Sequence, residues 1–301
     1  MTWLFAVLLS TMFFAWVSVL DKKLVTDLFP DVRDFYLVFG LMQLVLGPAF
    51  MAIAWATGGF GEADGVLWGV VAGFAWAGAL LLFFYGLSLE EVSRAAPLQA
   101  LSPVFATLIA VAVLGERLSL VHWAAMVVVV TGAALVSLRR ENGAFRVVRG
   151  RAVPILVGSA LMIGVAFVTT KHATEFASVW SVQGISTLVL GLITLAVFLR
   201  PARLSRVPAI ARDRHLVWMM LLTEGALAPA AVFTLMLAFS LGEVSQVSVV
   251  SAGRPLLLLA ISVALSTRWW NVLHEPLDRE TVGLKLVSTV LIVGGVIALV
   301  V

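Results

Sequence analysis

Ser88-Leu89-Glu90-Glu91-Val92-Ser93 recurs as Ser240-Leu241-Gly242-Glu243-Val244-Ser245, 152 residues further on and with five of six positions identical. The same offset carries Pro103 onto Pro255, and Lys22 and Lys171 fall nearly in step with it, 149 residues apart. A spacing shared by separate segments marks an internal duplication. The surroundings say what is duplicated. Apolar runs of about 18–25 residues, each long enough to cross a ~30 Å hydrocarbon core as a helix, recur from end to end. Ten spans result: 3–20, 35–57, 65–87, 95–114 and 120–138, then 153–170, 177–199, 216–240, 246–266 and 282–301. Five spans per copy is an odd number, so the second copy must enter the membrane upside down relative to the first. The expected fold is an all-α integral membrane protein, ten transmembrane helices in a 5+5 inverted repeat. Its halves are residues 1–140 and 153–301, joined by a basic linker at 141–152.

Composition agrees. Of 301 residues 12% are charged and 61% hydrophobic, against about 25% charged in a soluble domain, and mean hydropathy is +1.07. Too few polar groups remain to cover a water-facing surface, which excludes a soluble enzyme, a nucleic-acid reader or a disordered scaffold. With no cysteine, disulfides and thiolate sites are excluded. No phosphate loop, His-Glu-x-x-His or Gly-x-Ser-x-Gly occurs, and the four histidines lie far apart, so no catalytic centre, metal or cofactor is expected. Seventeen Lys and Arg residues fall in loops on one side, against Arg117 and Lys171 on the other, with Arg254 inside a span. Basic loops stay in the cytoplasm, so the charges place the protein in the cell membrane with both termini outward.

One segment carries a family likeness. Glu91-Val92-Ser93-Arg94-Ala95-Ala96-Pro97-Leu98, followed by Leu101-Ser102-Pro103-Val104-Phe105 and closed by Leu114-Gly115-Glu116-Arg117-Leu118-Ser119, resembles EamA-type transporters of the drug/metabolite transporter superfamily. The second half has Ser266-Thr267-Arg268-Trp269 where Leu-Gly-Glu-Arg would fall. The resemblance implies a 5+5 helical transporter whose central cavity is lined mainly by spans 1, 3, 4, 6, 8 and 9. Such proteins are often drawn with cytoplasmic termini, opposite to what the charges of this chain indicate.

Most charges lie near span ends, where long side chains reach the headgroups. Glu224 and Arg254 do not: each sits eight residues into its span, about 12 Å deep. An ionised group there costs about 2.5–3.5 kcal/mol on insertion scales unless paired or wet. The pair reads either as a structural ion pair or as a binding site, Arg254 for a carboxylate or phosphate and Glu224 for an amine or a coupling proton. Ser102, the repeat equivalent of Arg254, Gln99 one turn before Pro103, and Trp76 are further solute-binding candidates. Lys22 and Lys171 are gating candidates, and Pro103 and Pro255 are expected helix breaks, each removing a backbone donor. Gly65, Gly69, Gly73 and Ala77 form a small-residue ladder that reads as packing.

The expected function is secondary transport of a small amino-acid-like, zwitterionic or anionic metabolite by alternating access, with a proton as coupling ion. The expected partners are the solute, the bilayer and a second copy in a homodimer, with no nucleic acid. The rival readings are a membrane-embedded transferase acting on lipid-linked substrates, with Glu62 and Asp64 in its headgroup-level loop, and a passive channel.

Overall fold

The computed structural model describes residues 2–89, 98–99, 101–115, 119–136, 138–141, 144–147, 151–251, 253–254, 257, 287, 290–291 and 294–295. In chain order its helices are α1 (Thr2–Lys23), α2 (Val32–Ala56), α3 (Ala63–Leu89), α4 (Ser102–Val113), α5 (Leu120–Val136), α6 (Ala152–Phe176) and α7 (Val179–Phe198). Two short helices, α8 (Pro201–Leu204) and α9 (Val207–Arg212), lead into α10 (Arg214–Leu241), and α11 (Val244–Ser251) follows. Among the described residues, α1, α2, α3, α6, α7 and α10 are long and apolar enough to cross a membrane. Helix is the form that satisfies every main-chain polar group within one segment in lipid. The span expected at 282–301 lies almost wholly outside the described residues.

Three departures from the sequence reading have physical causes. The first helix does not stop at Leu20 but continues to Lys23 and then, π-wound, through Leu24–Leu28. Leu24 and Val25 are buried apolar residues that keep it going. It ends at Phe29, extended at φ −92°, ψ 126°, as the residue before Pro30 must be. Pro103 is not inside a continuous span: α4 starts at Ser102, which puts Pro103 in the first turn, where its missing N–H leaves no hydrogen bond unmade. Where the fifth span runs into the basic linker expected at 141–152, Leu138–Glu141 and Ala144–Val147 form an antiparallel hairpin. The intervening sequence Asn142-Gly143 is the dipeptide with the strongest hairpin preference.

Helices cross where small residues let backbones meet. A Cβ on Gly47 would stand 2.8 Å from the Leu188 main-chain nitrogen, one on Gly184 3.0 Å from the Gly47 carbonyl, and one on Gly191 3.1 Å from the Gly40 carbonyl. Residue 40 therefore faces 191 while 47 faces 184, so α2 and α7 run antiparallel. The α3 ladder meets Ala177 at Gly65, Ile185 at Gly69 and Val189 at Gly73. Beyond these, α3 packs on α6, α1 on α10, α4 on α6, α11 on α1, and α4 on α11.

The buried side chains form two main clusters. One gathers Leu24, Phe29, Phe35, Tyr36, Phe84, Leu216 and Met220, beside the ends of α1, α7 and α10 that carry Lys22, Lys23, Arg200 and Arg214; this is the basic end. The other gathers Val7, Trp76, Phe167, Leu235, Phe239, Val244 and Val247.

Candidate functional site: an interior cavity with buried charges

Between the clusters lies a cavity of about 140 Å³, an order of magnitude more than the ~10–15 Å³ one water needs. Phe39, Phe84, Leu87 and Leu190 belong both to its wall and to the basic-end cluster, Trp76 and Phe167 both to its wall and to the other. Apolar side chains thus flank it at both ends.

The charges inside come from three helices. Asp21 on α1 and Glu224 on α10 are 4% and 3% exposed. Their carboxyls are close enough to act directly on each other. Arg254 is near enough to act electrostatically on Asp21, and its guanidinium lies over the Phe14 ring, 4.4 Å from the centroid. Glu224 sits in the π-wound stretch Leu221–Leu227 of α10. Pro229, also on the wall, follows directly. Lacking an N–H, it cannot continue the α-helical ladder, and the wider π turn occupies that interruption.

Neutral polar groups complete the wall. Gln99 donates through Nε2 to Ser159 Oγ at 2.8 Å, and Ser159 donates to the Ala79 carbonyl at 2.8 Å, tying the amide between α6 and α3. Gln183 donates through Nε2 to Thr187 Oγ1 at 3.3 Å. Three buried wall atoms have no protein partner: Asp21 Oδ1, Trp76 Nε1 and Gln183 Oε1. Buried polar atoms are rarely left unsatisfied.

Arg254, Glu224, Gln99, Ser102 and Trp76 all stand on this wall. Lys22 and Lys171 do not: Lys22 is in the last turn of α1 and Lys171 near the end of α6. Pro255 and the segment 90–97 lie outside the described residues. Sequence reasoning missed Asp21, because Lys22 and Lys23 directly after it look like the end of a span. It also missed Gln43 and Gln183, on α2 and α7, two helices outside the six expected to line the cavity. An amide alone inside an apolar run was the available signal. Glu224 and Arg254 both stand on the wall, and the carboxyl near Glu224 is that of Asp21.

Membrane-length helices around a charged interior cavity define a multi-pass membrane protein. Comparison with known proteins gives the family. The EamA-like transporter family matches residues 1–138. A protein of Sinorhizobium sp described as "Uncharacterized transporter in cobO 3'region" is 31% identical over 142 residues, 46% of this chain and 97% of that one. A solved crystal structure shares the fold with a TM-score of 0.66 at 18% identity, covering 97% of this chain and 94% of that chain. The chain belongs to the EamA-like transporter family, of the drug/metabolite transporter superfamily.

Proposed function

We propose that this protein is a secondary transporter that moves a small amino-acid-like zwitterion by alternating access, coupled to a proton. The observation that carries the reading is the carboxyl pair Asp21 and Glu224 with Arg254 on the wall of the same interior cavity. Arg254 presents a forked guanidinium to the solute's carboxylate. One carboxyl takes its ammonium and the other a proton. Two acids against one base favour a zwitterion with a proton over a simple anion, which would leave both carboxyls uncompensated. Gln99, Ser102 and Trp76 supply neutral hydrogen bonds.

The architecture in this reading is ten helices in a 5+5 inverted repeat, halves 1–140 and 153–301, with basic loops cytoplasmic and termini outside. Four packing relations support it. Exchanging spans 1 with 6, 2 with 7, 3 with 8 and 4 with 9 turns the α1–α10 contact into α6–α3 and the α4–α6 contact into α11–α1. It also leaves α2–α7 and α4–α11 in place, and α2 and α7 run in opposite directions, as inverted copies must.

Flux into proteoliposomes with and without an imposed pH gradient tests the function. Saturable, gradient-driven accumulation is the expected result. Linear leak would make the protein a channel, and conversion of a lipid-linked substrate would make it a transferase.

A further inference from the structure

The ends of the cavity are tied by one contact made twice. Asp31 caps α2, its side chain accepting from the Arg33 N–H at 2.9 Å, and Ser178 caps α7, its hydroxyl accepting from the Ser181 N–H at 3.3 Å. Three residues beyond each cap a side chain crosses to a connector of the opposite half. Asp34 Oδ2 accepts from Arg206 Nη1 at 3.0 Å, between α8 and α9. Ser181 Oγ donates to the Gly59 carbonyl at 2.8 Å, between α2 and α3. Asp34 and Ser181 are 147 residues apart, as are the two caps, close to the spacing of the sequence duplication.

The ties differ in chemistry. The Ser181 side is neutral and reinforced by main-chain bonds, Glu62 N–H to the Phe176 carbonyl at 3.0 Å and Ser178 N–H to the Gly59 carbonyl at 3.4 Å. There Gly61, at φ +87°, admits Ala177 so closely that a Cβ would stand 2.5 Å from its Cα. The basic end has a charged bond instead. The Arg206 side chain is 58% exposed while that of Asp34 is 3% exposed, and Asp34 Oδ1 is buried without a partner. One turn of α2 connects this bond to the cavity: Phe35 meets Phe29, Phe84 and Phe39 at ring separations of 5.5, 5.0 and 6.0 Å, and Phe84 and Phe39 are wall residues.

We propose that the Asp34–Arg206 bond is the latch of the basic-end gate, holding the first turn of α2 and its aromatic cluster over the cavity. The Ser181–Gly59 contact is its counterpart at the other end. The inference rests on the alternating-access reading. Arg206 is already largely in water and gains little further solvation when the bond opens, whereas Asp34 gains water only if the α2 terminus lifts. Opening the bond and opening the gate are therefore one event.

The chain has no cysteine, so introduced thiols report without background. Thr187→Cys places a reporter on the cavity wall, labelled by a membrane-impermeant maleimide applied at the basic face. Arg206→Gln in that background should raise the labelling rate several-fold, and Arg206→Lys should return it toward the parent. In a second background, Asp34→Cys with Arg206→Cys, joined by a cleavable bis-methanethiosulfonate linker, should stop transport until dithiothreitol restores it. Parental labelling rates in Arg206→Gln, or equal transport by linked and cleaved protein, would overturn the latch. Labelling needs no transport, so a parent that labels normally but carries no solute refutes the transport reading and leaves the latch to be decided by labelling.

Discussion

Arg254 holds its guanidinium 4.4 Å from the centre of the Phe14 ring, so the cavity's cation rests on an aromatic face of α1. A desolvated cation–π contact contributes about 1–2 kcal/mol, and here it fixes the direction of the guanidinium fork. Phe14→Leu keeps the bulk and removes the ring. Solute affinity should fall by roughly five- to thirtyfold, while Phe14→Trp preserves it, both read by titration calorimetry on purified protein.

In the proposed mechanism the carboxyl pair carries the coupling proton. With Glu224→Gln, or with Asp21→Asn, the remaining carboxyl has no acidic neighbour with which to hold a proton. Accumulation should stop responding to an imposed pH gradient, while exchange of labelled for unlabelled solute continues. A normal gradient response in both variants would remove the pair from the coupling mechanism.

Trp76 Nε1 is a buried donor without a protein partner on the wall. Trp76→Phe removes that donor and retains an aromatic ring against Phe167, 5.9 Å away. A neutral hydrogen bond is worth about 0.5–1.5 kcal/mol, so affinity should drop by up to about tenfold with little change in melting temperature. Unaltered affinity would mean that the solute does not reach this nitrogen.

The α2–α7 crossing predicts stability. Gly47→Ala sets a methyl group 2.8 Å from the Leu188 main-chain nitrogen, where neither backbone can yield. It should cost about 1–3 kcal/mol and lower the melting temperature in detergent by several degrees. Gly158→Ala, whose Cβ would meet Leu82 Cδ1 at 3.6 Å, is the matched control and should leave stability unchanged or slightly higher.

The long helices were legible because lipid imposes one backbone solution on an apolar run, and Glu224 and Arg254 because a charge in mid-span has no cheap explanation. Asp21 was hidden by continuity. Two lysines after an acid look like a loop, and nothing local reveals that the helix runs on through Leu28 and carries the acid inward. The carboxyl pairing was illegible for a different reason, since it depends on α1 packing against α10 from opposite ends of the chain. Gln43 and Gln183 were readable as isolated amides, yet their place on the wall depends on the glycine crossing that brings α2 and α7 together.

Asp21 Oδ1, Trp76 Nε1 and Gln183 Oε1 belong to wall residues and are buried with no protein partner. For the proposed zwitterion, selectivity works largely by refusal: an analogue stripped of the amine or carboxylate would fit the aromatic walls but strand charged groups away from water, and sites with stranded polar groups reject such molecules by about 10⁴-fold or more.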